Sequence, residues 1–422
     1  MLRKKNVLII NCGTLAATDI NMSLRYNLDY TIYGASSISN HGEYVYEKYI
    51  DYIPNMLDEN FFKELNKTIE ELDIKFIIPA HDSLVLYCQE NKDKINAIIC
   101  SSPYETTLLC RYKSKTYKYL REYNFIPKVY DFDEIDNIKF PVFIKKDDDQ
   151  GARNAFKIDT RKELESKYND RMVICEFLPG EEVTVDCFTN RKGQLLFCNP
   201  RVADRILAGI DVRARRLKGN SEILEIGKRL NDKILFRGAW FFQLKKDVNG
   251  KYKLLEISTR LPGAFSLSRG MDVNLPYLAL QDFDDRDVII DYNDYDITAD
   301  KQFFTKYSLG FEYNEVYISI NSLLFEKKIN QYIMFYIYQC FNKKIKVYLV
   351  YNDNYEMEQI IKRPISNELF ADIISYKKMK YRKGNQKKVY ISSIQTERIE
   401  MRKKGFYSFE TSSIEALIDW KM

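Results

Sequence analysis

The chain has 422 residues, of which 45% are hydrophobic and 30% charged. That balance buries a large core without help from metals or disulfides and implies two or three folding units. Its 65 basic and 60 acidic residues leave a formal charge of +5, spread along the chain, which argues against nucleic acid as a partner. No apolar run approaches the roughly 20 residues that span a bilayer.

Residues 1–109 alternate strands and helices. The apolar run Val7-Leu8-Ile9-Ile10 is too short for the core of a signal peptide and ends at Cys12-Gly13, so it is read as a strand. Tyr30-Thr31-Ile32-Tyr33, ended by Gly34, is a second strand. Phe61, Phe62, Leu65, Ile69 and Leu72 recur at helical spacing, and Lys75-Phe76-Ile77-Ile78-Pro79 follows as a strand. This rhythm predicts a parallel sheet covered by helices. Only Gly13 stands in the loop after the first strand, so the dinucleotide fingerprint is absent, and the sheet is expected to be a scaffold with a cleft at its edge.

Residues 110–300 change to an α+β pattern. A helix over 115–123 precedes Pro127, a strand over 141–144 leads into an acidic loop, and alternating runs at 183–188 and 252–257 flank a helix carrying Ile223, Ile226 and Leu230. Residues 282–300 are dense in Asp and Tyr without an apolar period and are read as a linker. Residues 310–422 hold three strand candidates, at 316–320, 346–350 and 389–392, separated by helical segments, which predicts a third unit with its own small parallel sheet. The basic stretch 377–388 is read as a solvated loop or helix face.

The eight cysteines form no Cys-x-x-Cys pair and are read as reduced, mostly buried thiols of a cytoplasmic protein. With only His41 and His81 present, a His-rich metal site or a Ser-His-Asp triad is not expected.

The chemistry-bearing residues lie in the middle region. Triphosphates need fixed cations, and the metal on them needs hard oxygen ligands. Lys115 opens a helix, Pro141-Val142-Phe143-Ile144-Lys145 ends a strand on a lysine, and Glu176-Phe177-Leu178-Pro179-Gly180-Glu181-Glu182 sets carboxylates either side of a turn. Gln243 and Glu256 lie in two strands that, if paired antiparallel, present both to one cation, with Ser258 and Arg260 close by. Singly, each is more often a surface charge or half of an ion pair; their order carries the argument.

In that order the chain resembles the ATP-grasp superfamily, in the branch of the carbamoyl-phosphate synthase ATP-binding module, over residues 6 to 280. The resemblance implies a Rossmann-like domain at 1–109 and an ATP-grasp domain at 110–300. Asp82 in Pro79-Ala80-His81-Asp82 matches the preceding domain's strand-end Pro-x-x-Asp, and Lys115 the lysine that begins the grasp. Lys145 matches the phosphate-binding lysine of Pro-Val-x-x-Lys; Glu176, Phe177 and Leu178 fall on the adenine hinge and Glu182 on the ribose carboxylate. Gln243, Glu256 and Ser258 fall on the magnesium ligands, Arg260 on the arginine near the transferred phosphate, and Arg201 and Arg205 on basic residues facing an anionic substrate. The implied activity is an ATP- and magnesium-dependent ligase joining a small anionic carboxylate to an amine, or a thiol, through an acylphosphate.

Two departures, together with the disabled last region described next, favour a different class, a nucleotide-binding regulatory or assembly protein without turnover. Ser258 stands where the family has asparagine, and Asp147, Asp148 and Asp149 occupy a phosphate loop that keeps only Gly151. The last region resembles a haloacid-dehalogenase-type domain. Ser319 and Asn321 stand at its nucleophile positions and Ser392 and Ser393 at its later acidic pair, so neither magnesium binding nor phosphatase chemistry is expected there, and the domain is read as scaffold or protein-docking surface.

Overall fold

The computed structural model describes residues 4–148, 154–207, 210–302, 305–307, 309–325, 328–353, 365–379, 388–419 and 421. The chain forms two compact units, Met1–Phe303 and Phe304–Met422, so the first two regions expected from the sequence share one unit.

The first unit begins with a parallel sheet of β1 (Lys5–Ile10), β2 (Tyr30–Ala35), β3 (Lys48–Ile50), β4 (Ile74–Pro79) and β5 (Ile98–Ile99), in the order β3-β2-β1-β4-β5. Consecutive strand residues point to opposite faces, and both faces are apolar. Val7 and Ile9 enter one core cluster with Phe76 and Ile78, while Leu8 and Ile10 enter another with Ile74 and Ile77. Helices α1 (Leu15–Ser23), α2 (Phe61–Glu71) and α3 (Asp82–Glu90) are interleaved with these strands in the chain. His81 caps α3, its Nδ1 accepting from the Ser83 N–H at 3.3 Å, which sets Asp82 just past the C-terminal end of β4.

Two helices, α4 (Tyr104–Arg111) and α5 (Lys113–Tyr119), lead into two antiparallel sheets. The smaller consists of β6 (Val129–Tyr130), β7 (Val142–Lys146), β8 (Ala155–Ile158) and β9 (Met172–Glu176), in the order β6-β9-β7-β8, with α6 (Arg161–Lys167) between β8 and β9 in the chain. The larger comprises β10 (Glu182–Thr189), β11 (Leu195–Leu207), β12 (Ile210–Arg216), β13 (Gly238–Lys246), β14 (Tyr252–Ser258) and β15 (Thr298–Asp300), in the order β14-β13-β10-β11-β12-β15. One face of this sheet packs with α7 (Ser221–Lys233), whose Ile223, Ile226 and Leu230 are buried with Val185, Trp240 and Phe242. Two short helices, α8 (Ser266–Gly270) and α9 (Leu275–Phe283), follow β14.

Residues 282–300 are not a linker. Asp282 is fully buried and accepts from the Arg191 N–H at 2.7 Å and from Arg237 Nε at 2.9 Å. Asp294 pairs with Arg216, and β15 completes the large sheet by pairing with β12. Polar side chains that find fixed partners replace the apolar period as the reason for this segment's order.

The second unit is a parallel sheet of β16 (Glu315–Ser319), β19 (Lys346–Tyr351), β20 (Asp372–Ser375), β21 (Lys388–Ile391) and β22 (Tyr407–Phe409), in the order β20-β19-β16-β21-β22. A two-stranded ribbon, β17 (Leu324–Phe325) and β18 (Lys328–Ile329), follows α10 (Ile320–Leu323); α11 (Gln331–Asn342) and α12 (Gln395–Lys403) complete the helices named here. The sequence pattern shows the three central strands, whereas the edge strands β20 and β22 are too short to carry a period. Residues 380–387 of the basic stretch lie outside the described residues. Among the described residues no helix is long and apolar enough to cross a membrane, and all eight cysteines are free thiols.

Trp240 anchors the larger core. It is fully buried, stacked on Phe236 at 3.7 Å between ring centroids, and donates from Nε1 to Thr189 Oγ1 at 2.8 Å. Trp240→Ala leaves a cavity and removes one of the two hydrogen bonds of the Thr189 hydroxyl, which still donates to Asn231 at 2.6 Å, and is expected to remove about 3–5 kcal/mol of stability from the first unit. Denaturant titration of the full chain should show a transition at lower concentration; an unchanged transition would contradict this packing.

Candidate functional site

Strand pairing across the large sheet aligns four polar residues in one row. Glu256 on β14 pairs with Gln243 on β13, Gln243 with Thr184 on β10, and Thr184 with Arg201 on β11. Three strand spacings put the ends of this row about 14 Å apart. All four residues line a cavity of about 400 Å3 between the two antiparallel sheets, within the size range of ligand sites.

A bulge shapes the end of the row. Gln243 pairs with Glu256, but Leu244 pairs with Leu254, so Leu255 has no partner on β13. Leu254 and Ile257 are consequently both buried in the same core, while Leu255 and Glu256 both face the cavity. The Leu255 carbonyl accepts from Lys145 Nζ at 2.9 Å and from the Tyr117 hydroxyl at 2.6 Å, and Lys145 also donates to Tyr117 Oη at 2.8 Å. Lys145 is thus held, 7% exposed, against neutral oxygens on the cavity wall. Burial pushes the Tyr117 phenol well above its ordinary range, with nearby Cys175 and Glu256 adding to the effect, so it stays a hydroxyl donor.

Lys113, not Lys115, enters the cavity. The helix starts at Lys113 rather than at 115 as expected, because Asp147, just past the end of β7, accepts from the Ser114 N–H at 2.7 Å and from Ser114 Oγ at 2.6 Å. A carboxylate is favourable at a helix N-terminus. Lys113 is buried and meets Glu256 at 3.4 Å, whereas Lys115 is exposed, with its ammonium over the Tyr112 ring. Burial pushes the Lys113 ammonium below its ordinary range against the pull of Glu256, and Lys145 and Arg111 push the same way as burial. Of the three aspartates in the acidic loop, Asp147 caps this helix, Asp148 lies 3.7 Å from Lys146, and Asp149 lies outside the described residues.

Ser258 does not join Gln243 and Glu256. Its hydroxyl donates to Asp82, the first residue of α3 beyond the end of β4, and Arg260 Nε donates to the other oxygen of the same carboxylate at 2.6 Å. Burial alone would raise the pKa of Asp82, but the Arg260 guanidinium, the bonds from Ser258 and Arg260, and the nearby Arg111 outweigh it and hold the carboxyl below its usual range. Asp82 therefore ties the first sheet to the strand that carries Glu256, and orients Arg260, which lines the cavity.

Neither arginine expected to meet an anionic substrate is free of carboxylates. Arg201, 2% exposed, donates from Nε to Asp186 at 3.1 Å and from its terminal nitrogen to Asp211. Arg205 lies on the outer part of the hairpin, half-exposed and paired with Asp300, and does not line the cavity.

At the other end, Glu176, Phe177, Leu178 and Glu182 all line the cavity. Glu176 is anchored to the chain at Lys128, whose N–H donates to its carboxylate at 2.8 Å and whose carbonyl accepts from its N–H at 2.9 Å. Glu182 lies 3.3 Å from Lys245. Among the described residues no group of three or more His, Cys, Asp or Glu side chains could hold a metal ion. Gln243 and Glu256 remain as two hard-oxygen residues side by side.

Residues 168–302 match the family model ATPgrasp_Ter, described as ATP-grasp in the biosynthetic pathway with Ter operon. Solved structures with similar folds include L-amino acid ligase from Bacillus licheniformis, at 17% identity and a TM-score of 0.55, covering 67% of this chain and 75% of that one. N5-carboxyaminoimidazole synthetase from Staphylococcus aureus complexed with ADP gives 14%, 0.57, and coverage of 68% and 79%. The biotin carboxylase complex from Campylobacter jejuni gives 15%, 0.56, and coverage of 68% and 72%. Residues 168–302 thus belong to an ATP-grasp domain. No curated protein matches the sequence. Of the residues expected from the sequence, the cavity gathers Lys145, Glu176, Phe177, Leu178, Glu182, Arg201, Gln243, Glu256 and Arg260, adds Lys113, and leaves out Lys115, Arg205 and Ser258. The sequence did not distinguish Lys113 from Lys115, because two lysines two apart on a helix face different ways and only the helix start decides which turns inward.

The Asp82 contact has a sign in pH. With its folded pKa depressed, Asp82 contributes stability that is present above the ordinary carboxylate range and lost as pH falls through the lower folded value. Asp82→Asn is expected to cost about 1–3 kcal/mol at neutral pH and to flatten the loss of stability below about pH 4. Urea titrations of both proteins at neutral and acid pH measure this; parallel curves would show that Asp82 carries no linked proton.

Proposed function

We propose that this chain is an ATP-dependent ligase that activates a small carboxylate as an acylphosphate and passes it to an amine or thiol. The observation that carries the reading is the convergence of Lys113, Lys145 and Arg260 with Gln243 and Glu256 on one wall of the cavity. The likeness in fold to an L-amino acid ligase and an ADP-bound synthetase supports it.

In this reading adenine enters against Phe177 and Leu178, with Glu182 placed for the ribose. The triphosphate runs toward Lys145, Lys113 and Arg260. Lys145 gives up bonds to neutral oxygens rather than an ion pair when it meets a phosphate, so little Coulomb energy is lost on the exchange. Glu256 and the amide oxygen of Gln243, whose nitrogen donates to Thr184 at 3.2 Å, suit magnesium, which takes one or two protein oxygens and completes its shell with phosphate oxygens and water. The metal would offset charge on the transferring phosphoryl group. Arg260, oriented by Asp82, faces the same charge, and the surrounding sheets limit water that would hydrolyse an acylphosphate.

A regulatory or assembly role without turnover is favoured by one observation, the engagement of Ser258 with Asp82 instead of the cavity. The acidic loop supports that alternative less, since Asp147 is occupied at the start of α5.

For the first sheet, the order β3-β2-β1-β4-β5 supports a Rossmann-like reading. The second unit repeats that order, with Ser319 at the end of β16 and Ser392 and Ser393 just past β21. Ser392 donates to the buried carboxylate of Glu397 at 2.6 Å. We read the unit as a haloacid-dehalogenase-like scaffold without the aspartates of phosphatase chemistry.

Lys145→Ala removes a cation whose described hydrogen bonds go to neutral oxygens, while Tyr117 keeps its bond to Leu255. Release of ADP from ATP and magnesium, across a panel of carboxylates and amines, is expected to fall about 100-fold or more. Equal rates in both proteins, or no release from either, would count against the ligase.

A further inference from the structure

The floor of the cavity is electrically lopsided. At the Glu256 end, Lys113, Lys145 and Arg260 gather cations. Where β10, β11 and β12 line the cavity the sign reverses, because Arg201, the one guanidinium among the described lining residues of these strands, is shared by two carboxylates, Asp186 and Asp211. Asp186 is fully buried, receives Arg201 Nε at 3.1 and 3.3 Å, and receives Ser268 Oγ at 3.2 Å. Asp211 differs. Its side chain is 19% exposed, it lines the cavity, and among the described residues its one hydrogen bond is from Arg201. A carboxylate has about four acceptor positions, so Asp211 retains most of its capacity where a ligand would sit.

The cluster of one guanidinium and two carboxylates carries a net charge of −1. A third carboxylate brought there would meet repulsion and would compete with two partners already on Arg201. A protonated amine would complete the charge balance, as a second donor to the carboxylate of Asp211. The surroundings specify more. Ile206 is the direct partner of Asp211 across the hairpin and lines the same cavity, as do Phe241 and Ala264. An ammonium group at Asp211 would therefore have apolar carbon beside it.

We propose that one substrate of this site carries a primary ammonium group next to an apolar side chain, and that Asp211 receives it. The inference rests on the ligase reading for the location of the nucleotide, but it concerns binding alone. Asp211 recognises the substrate; Arg201 and Asp186 are positioning residues that hold it.

The test uses two blocked probes on the full chain, by calorimetric titration with and without ADP and magnesium. L-leucine methyl ester offers the amine without a carboxylate, and N-acetyl-L-leucine the carboxylate without an amine. The ester is expected to bind, and Asp211→Asn, which keeps an acceptor oxygen for Arg201, is expected to weaken it about tenfold or more, while Asp211→Glu restores it and ADP affinity is the same in all three proteins. N-acetyl-L-leucine is expected to show no dependence on residue 211. Ester binding that ignores Asp211→Asn, binding of the N-acetyl compound in place of the ester, or binding of neither would overturn the assignment. Failure of ADP to bind any of the proteins would instead sink the nucleotide reading, while the ester titration without ADP still decides the role of Asp211.

Discussion

The bulge at Leu255 is the constraint from which the site is built. A regular β14 would turn its side chains strictly in and out, so that residues three apart could not share a face. By withdrawing Leu255 from the ladder, the strand buries Leu254 and Ile257 in one core and still turns Leu255 and Glu256 to the cavity. The carbonyl released from pairing would be costly if left alone. Lys145 and Tyr117 satisfy it, and in doing so they fix a lysine from the small sheet against a strand of the large one. Packing demand on one face of the strand thus produces the polar arrangement on the other.

Charge within the cavity follows from how each cation is held. Lys113 meets Glu256, Arg260 meets Asp82, and Arg201 meets two aspartates. Each pair offsets part of the cost of holding an ion away from water, and breaking one leaves a partly buried charge without compensation. Lys145 differs, since its described hydrogen bonds go to neutral oxygens. The cavity wall thus holds three cations through carboxylates and a fourth, Lys145, through neutral oxygens. Along one sheet the cations near Glu256 are separated from the carboxylate at Asp211.

Some of this was legible from residue order. The central strands of both parallel sheets are continuous apolar runs, which identify themselves because both faces are buried. Gln243 and Glu256 were legible as a pair because they lie in two strand candidates that follow one another in the chain, Glu256 in the alternating run 252–257. Other features were not. The segment 282–300 has no apolar period, yet it is ordered by Asp282, Asp294 and β15. Nor does any local pattern mark Asp211 or Asp186, whose partner Arg201 belongs to a neighbouring strand.

By itself the sequence determined the alternation of strands and helices, the apolar faces, and the supply of lysines, arginines and acids in ATP-grasp order, since these depend on period and residue type alone. Tertiary structure decided which of those groups meet. Lys113 displaces Lys115 because Asp147, 34 residues away, sets where the helix starts. Ser258 turns to Asp82 across 176 residues of chain. Arg201 meets two aspartates because β10, β11 and β12 lie side by side. Such choices depend on helix start and strand register, and both are properties of pairing between distant segments that no single stretch of chain encodes.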